Sequence, residues 1–199
     1  VRKEAAKMLA KLENASVLAR HTPTLVADLN HREPECRRAA AKVLSKLGYE
    51  HLEPHSKALA RCMTTEIDPD TRMYIVRTLG QLPGRVLAEF AGGLARRLLS
   101  DKDDDVRIAS AQAMLRLEPR TLLRHVSALE IAVVNDPHAA VRDEVAKALK
   151  KIGPEAIASA EGMARRGSLA GPYTPMTRSA TALPKIRRSD SQTASSTGL

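Results

Sequence analysis

The stretch VRIASAQAMLRL (Val106–Leu117) returns 35 residues later as VRDEVAKALKKI (Val141–Ile152). The same interval leads back to TRMYIVRTLGQL from Thr71, CRRAAAKVLSKL from Cys36 and VRKEAAKMLAKL from Val1. Every copy has arginine second: Arg2, Arg37, Arg72, Arg107 and Arg142. The ninth residue is Leu9, Leu44, Leu79, Met114 or Leu149, and the twelfth is Leu12, Leu47, Leu82, Leu117 or Ile152. Positions one, five, six, nine and twelve fall within one arc of a 3.6-residue helix, so each segment is expected to be an amphipathic helix of about three turns, helix B.

Working outward, a second helical set, helix A, is expected at 15–30, 52–66, 85–100, 119–134 and 154–166. Val17, Leu52, Leu87, Leu122 and Ile157 form one of its apolar columns, and Leu59, Leu94 and Leu129 another. Asp68-Pro69-Asp70, the Asp101–Asp105 run and Asp136-Pro137 supply turn and N-cap chemistry before B, while Gly48, Pro83-Gly84 and Gly153-Pro154 break the chain after it. One helix pair cannot bury its own apolar face, so neighbours must stack. The expected fold is all-α: a right-handed α-solenoid over residues 1–167, with four full helix pairs and a half unit at each end. Only 2% of the residues are aromatic and none is Trp, which suits close helix packing through small aliphatic side chains.

The recurrent arginine needs a cause, because a cation near a helix N-terminus opposes the dipole. A structural ladder is expected, in which Arg2, Arg37, Arg72, Arg107 and Arg142 donate to acids such as Asp68, Asp101 or Asp136 in their own or the adjacent unit. The alternative is a row of anion-binding arginines.

The strings DPDTR with MYIVRTLGQL, and DDDVR with IASAQAMLRL, resemble HEAT repeats of the armadillo-like helical class, over residues 1–167. The resemblance implies a scaffold that binds protein along a concave face of B helices. HEAT-like deoxyhypusine hydroxylases hold iron through paired His-Glu dipeptides, and this sequence has none. A HEAT-type lyase stays as an enzymatic alternative without a defining motif.

No catalytic, cofactor or metal-ligand set is expected. His51 and His55 stand four residues apart without a third ligand in the same motif, and read as a solvated helix start. Cys36 and Cys62 have no CxxC or His neighbour at ligand spacing and read as small buried apolar residues. Neither a signal-peptide pattern nor a membrane-length apolar run is present, so an intracellular, cytoplasmic setting is expected; the chain opens at Val1 rather than Met, which leaves the number of upstream repeats open.

Partner chemistry is written mainly in charge. The net charge is +9, with a pI near 9.9. At positions seven and eleven of helix B, one turn apart and pointing away from the core arc, stand Lys7, Lys11, Lys42, Lys46, Arg77, Gln81, Gln112, Arg116, Lys147 and Lys151, and eight of these ten are basic. Position four, read as a neighbouring exposed position, is mixed: Glu4, Ala39, Tyr74, Ala109 and Glu144. The basic stripe favours an acidic protein segment, with nucleic acid second because aromatic stacking platforms are scarce. A small-molecule substrate is not expected, and membership of a larger assembly is. Residues 168–199 are rich in Ser, Thr, Pro and Gly and carry net +3, the composition of a flexible tail. Ser168 and Ser189 follow basic pairs and Thr174 precedes Pro175, patterns similar to phosphorylation sites that would cancel that charge.

Overall fold

The computed structural model describes Met8 and residues 15–153. The rest of the first B segment, the expected A segment 154–166 and residues 168–199 lie outside them. In chain order the helices are α1 (Ala15–Arg20), α2 (Thr22–Asp28), α3 (Pro34–Leu44), α4 (Tyr49–Leu52), α5 (Ser56–Thr65), α6 (Pro69–Gly80), α7 (Gly84–Leu87), α8 (Ala91–Ser100), α9 (Asp104–Leu115), α10 (Pro119–Leu123), α11 (Val126–Asn135) and α12 (Ala139–Ile152). Short 3-10 turns, Glu53–His55 and Ala88–Phe90, join α4 to α5 and α7 to α8. The described residues contain no strand.

Helices α3, α6, α9 and α12 are the B helices and pack side by side in that order. Each lies against the A helix that precedes it in the chain: α2 on α3, α5 on α6, α8 on α9 and α11 on α12. The B helices begin where the joints place them. Pro34 and Pro69 occupy the first turns of α3 and α6, where a missing N–H costs nothing. The side chains of Asp68 and Asp103 accept from the N–H of Thr71 and Val106 at 2.9 and 3.1 Å, capping α6 and α9. Helix α12 ends at Gly153, whose φ of +83° is open to glycine and strained for other residues.

Each A helix is bent rather than continuous. His21, His55, Phe90 and His125 sit at the bends, with φ between −98° and −119° and ψ between 2° and 17°. That is the sparsely populated bridge region. Pro54 adjoins one bend but no proline stands beside Phe90, so the repeat's packing, not proline chemistry, sets the break. It lets both leucine columns reach the core: Leu52, Leu87 and Leu122 before the bend and Leu59, Leu94 and Leu129 after it are all buried. In the first A helix the core is reached by Leu18, 34 residues before Leu52; the side chain of Val17, placed in this column by the 35-residue register, lies outside the described residues.

Two further findings concern the B helices, one of them a correction. Position eight is buried in all four of them, as Val43, Thr78, Ala113 and Ala148. Position four is not an exposed column: Ala109 is 1% exposed, and Tyr74 is half-buried against the core. Both effects arise because each interior B helix meets two B neighbours as well as its A helix, which widens the buried face beyond the arc of an isolated amphipathic helix. At α12, the last B helix described, position six is the exposed Ala146 and Leu149 is only half-buried. Leu79, fully buried in α6, tests the packing: Leu79→Ala should lower unfolding stability by about 2–5 kcal/mol in urea denaturation while the circular dichroism spectrum stays helical.

Candidate functional site

The second-position arginines face inward along the joints between units. Arg72 donates Nε and Nη2 to the Asp101 carboxylate at 2.9 and 2.7 Å, and Nη1 to the carbonyl of Ile67 at 2.6 Å. Arg107 repeats this on Asp136 at 2.7 and 3.2 Å and on the Asp101 and Lys102 carbonyls at 3.0 and 3.2 Å. Arg37 does the same on Glu66, at 2.7 and 2.9 Å, and on the His31 and Arg32 carbonyls. Each guanidinium therefore ties its own A–B joint to the acid 29 residues ahead, in the next unit. The acid in turn accepts N–H groups of its own joint: Glu66 from Ile67 and Asp68, Asp101 from Asp103, Asp136 from His138. Arg142 keeps the carbonyl half, on Asp136 and Pro137, and among the described residues has no carboxylate. Arg2 lies outside the described residues.

Asp68, expected among the ladder acids, serves the adjacent Arg38 instead, which reaches it at 2.5 Å and also touches Asp70 at 3.3 Å. Sequence reasoning missed Arg38, and missed Arg97, whose guanidinium joins Asp101 at 3.2 Å to the carbonyl of Met63 at the end of α5. The constant 29-residue offset was the available signal for Glu66. Because Nε, Nη1 and Nη2 of Arg37, Arg72 and Arg107 all donate within the protein, these groups present no free fork to an external anion.

The described members of the basic stripe, Lys42, Lys46, Arg77, Arg116, Lys147 and Lys151, are all exposed on the B layer. Lys7 and Lys11 lie outside the described residues, as do Ser168, Thr174 and Ser189. Position eleven also has internal work: Gln81 donates to the Ser45 carbonyl at 2.6 Å, and Lys151 to the carbonyls of Leu115 and Leu117, both at 2.8 Å. These bonds satisfy carbonyls at the end of the preceding B helix. Lys147 pairs with Glu144 at 2.9 Å. Between α6 and α9 the stripe borders a shallow groove of about 190 Å³, edged by Arg77, Gln81, Gln112 and Arg116 and floored by Gly80, Ala109 and Ala113.

Cys36 and Cys62 are both buried and free, as their spacing predicts. The donor atoms of His31, Glu33 and Cys36 lie within 4.8 Å of one another, although no ligand motif announced them. His31 Nδ1 accepts the Glu33 N–H at 3.1 Å and the Cys36 thiol donates to Glu33 at 3.6 Å, so the trio completes its own hydrogen bonds. Burial, then the Glu33 hydrogen bond, pushes the Cys36 thiol up and keeps it protonated. His51 is exposed, and His55 marks an A-helix bend.

Residues 22–115 match the family model for HEAT repeats. Residues 22–115 carry HEAT repeats. A crystal structure of an engineered protein superposes on it with a TM-score of 0.64 at 20% identity, over 81% of this chain and 79% of that one, a likeness of fold. No curated protein matches the sequence. Among the described residues no helix is long and apolar enough to cross a membrane.

The ladder makes stability depend on acid pH. Burial is the largest single influence and would raise the carboxyls of Glu66, Asp101 and Asp136, but the hydrogen bonds from Arg37, Arg72 and Arg107, the N–H groups of each joint and the attraction of the guanidinium together outweigh it and hold them below the ordinary range. At Asp68 the bonds from Arg38 and Thr71 outweigh burial in the same way, to about 2 against an ordinary 3.8. A carboxyl lowered on folding stabilises the fold above its unfolded value, and that contribution is lost as pH falls through the folded value. Unfolding free energy should thus begin to fall as pH drops below the ordinary values, 4.5 for Glu66 and 3.8 for Asp101 and Asp136, with Asp68 adding its own loss down to about 2. A flat profile across that window would show that the ladder carries no linked stability.

Proposed function

We propose that this HEAT array is a noncatalytic scaffold that holds an acidic protein segment against the solvent face of its B helices. HEAT repeats in general are protein-interaction scaffolds. One observation carries the finer reading. The second-position arginines are spent on the joints, whereas Lys42, Arg77 and Arg116 stand exposed on three successive B helices and, among the described residues, form no ion pair. Cations aligned on one face reinforce one another's potential and attract an acidic partner, with an association rate that rises as salt falls.

The test is a charge reversal. Lys42, Arg77 and Lys147 are exposed, so changing all three to Glu should leave helix content intact and weaken binding of an oligoglutamate peptide by tenfold or more, an effect of roughly 1.4 kcal/mol or larger. Binding by the parent should also decline as salt shortens the screening length below about 8–10 Å. Unchanged peptide binding in the triple variant would remove the stripe from the account. Preference for duplex RNA, with log affinity falling linearly in log salt, would reassign it to phosphate.

A further inference from the structure

The B–B junctions are not equivalent. Where α3 meets α6 the facing positions carry Ser45, Tyr74 and Thr78. Where α9 meets α12 they carry Leu115, Glu144 and Ala148. Between α6 and α9 the same three positions are Gly80, Ala109 and Ala113, the smallest set of the three. A Cβ built on Gly80 would stand 3.2 Å from Ala113 Cβ, so glycine both brings the helices close here and leaves the surface above them hollow. That hollow is the groove described above.

Its edges hold donors and no acid. Gln81, the residue that caps the end of α6, follows Arg77 by one turn, and Arg116, which caps the end of α9, follows Gln112 by one turn, so Arg77 and Arg116 hold diagonal corners of the groove. One turn of rise, about 6 Å, combined with a helix spacing of about 8–10 Å, puts their backbones within reach of a shared ligand. The neighbouring junction shows what is missing. There Glu144 supplies the chain's own carboxylate, bonded to Lys147, while the groove between α6 and α9 has no counterpart to Glu144, Ala109 taking its place.

We propose that this groove is the specificity pocket of the array, seating one Asp or Glu side chain of an acidic protein segment between Arg77 and Arg116, with the Gln112 amide as a further donor. Charge complementarity selects the occupant: the groove offers cations and amides, and guanidiniums favour planar carboxylates. The chain's own residues 168–199 carry net +3 and are the wrong sign to fill it. The inference rests on the acidic-partner reading above and narrows it to one junction.

Two charge-matched double variants separate the two ideas, with an N-acetylated, C-amidated oligoglutamate peptide as probe and calorimetric titration as readout. Arg77→Gln with Arg116→Gln removes the pocket's cations; Lys42→Gln with Lys147→Gln removes equal charge from the stripe outside it. The pocket pair should weaken binding about tenfold or more and the outer pair only about two- to threefold. Gln112→Glu, which places a carboxylate between the arginines, should weaken it as much as the pocket pair does. Equal losses from both pairs would overturn the pocket while leaving the stripe in place. Failure of the parent to bind the peptide would overturn the acidic-partner reading and the pocket with it.

Discussion

The array depends on one repeated interaction, a guanidinium that holds two successive units at once. Arg72 reads the backbone of its own joint with Nη1 and the carboxylate of the next unit with Nε and Nη2. Asp101, its side chain 1% exposed, accepts from Arg72 and Arg97 and orders the N–H of Asp103, the N-cap of α9. The start of each B helix is thereby referred to the unit before it. A lysine could supply the charge but not the planar fork. Desolvating such a pair offsets much of its attraction, so its main effect is to fix register: losing one partner strands a buried charge, whereas apolar contacts alone would tolerate sliding.

This interior use of arginine decides what the surface can do. A chain of net +9 has many cations, yet the most regular column of them is bonded to its own joints. Part of position eleven is drawn inward as well, where Gln81 and Lys151 reach carbonyls of the preceding B helix. Of the cations left exposed, Arg77 and Arg116 flank the hollow that small residues leave between α6 and α9.

The fold was legible because its signal is periodic. The 35-residue interval located four B helices within two or three residues of their starts, and the leucines at 52, 59, 87, 94, 122 and 129 occupy the core. What periodicity hid depends on neighbours. Position eight looks peripheral on a lone helix and is buried once B helices lie on both sides. In the first unit Leu18 precedes Leu52 by the same 34 residues that separate Leu25 from Leu59, one fewer than the repeat interval. The bends fall on histidine in three units, His21, His55 and His125, and on Phe90 in the other, at the repeat's own interval or one residue short of it, but none of these is a helix breaker, so the pattern alone did not mark a bend there. The same limit applied to the candidate site: Arg77 and Arg116 were visible as exposed cations, but the hollow between them required knowing which small residues face each other across two helices.

The most direct test of the account is a double-mutant cycle on the Arg107–Asp136 pair, with Arg107→Ala, Asp136→Asn and the combination measured by urea denaturation. If the guanidinium joins successive units, each single change should be destabilising and the coupling energy should exceed about 1.5 kcal/mol, near the upper half of the range for contacting residues. Single-variant losses that add to within about 0.3–0.5 kcal/mol would mean that the two side chains act independently, and that apolar stacking alone holds the array.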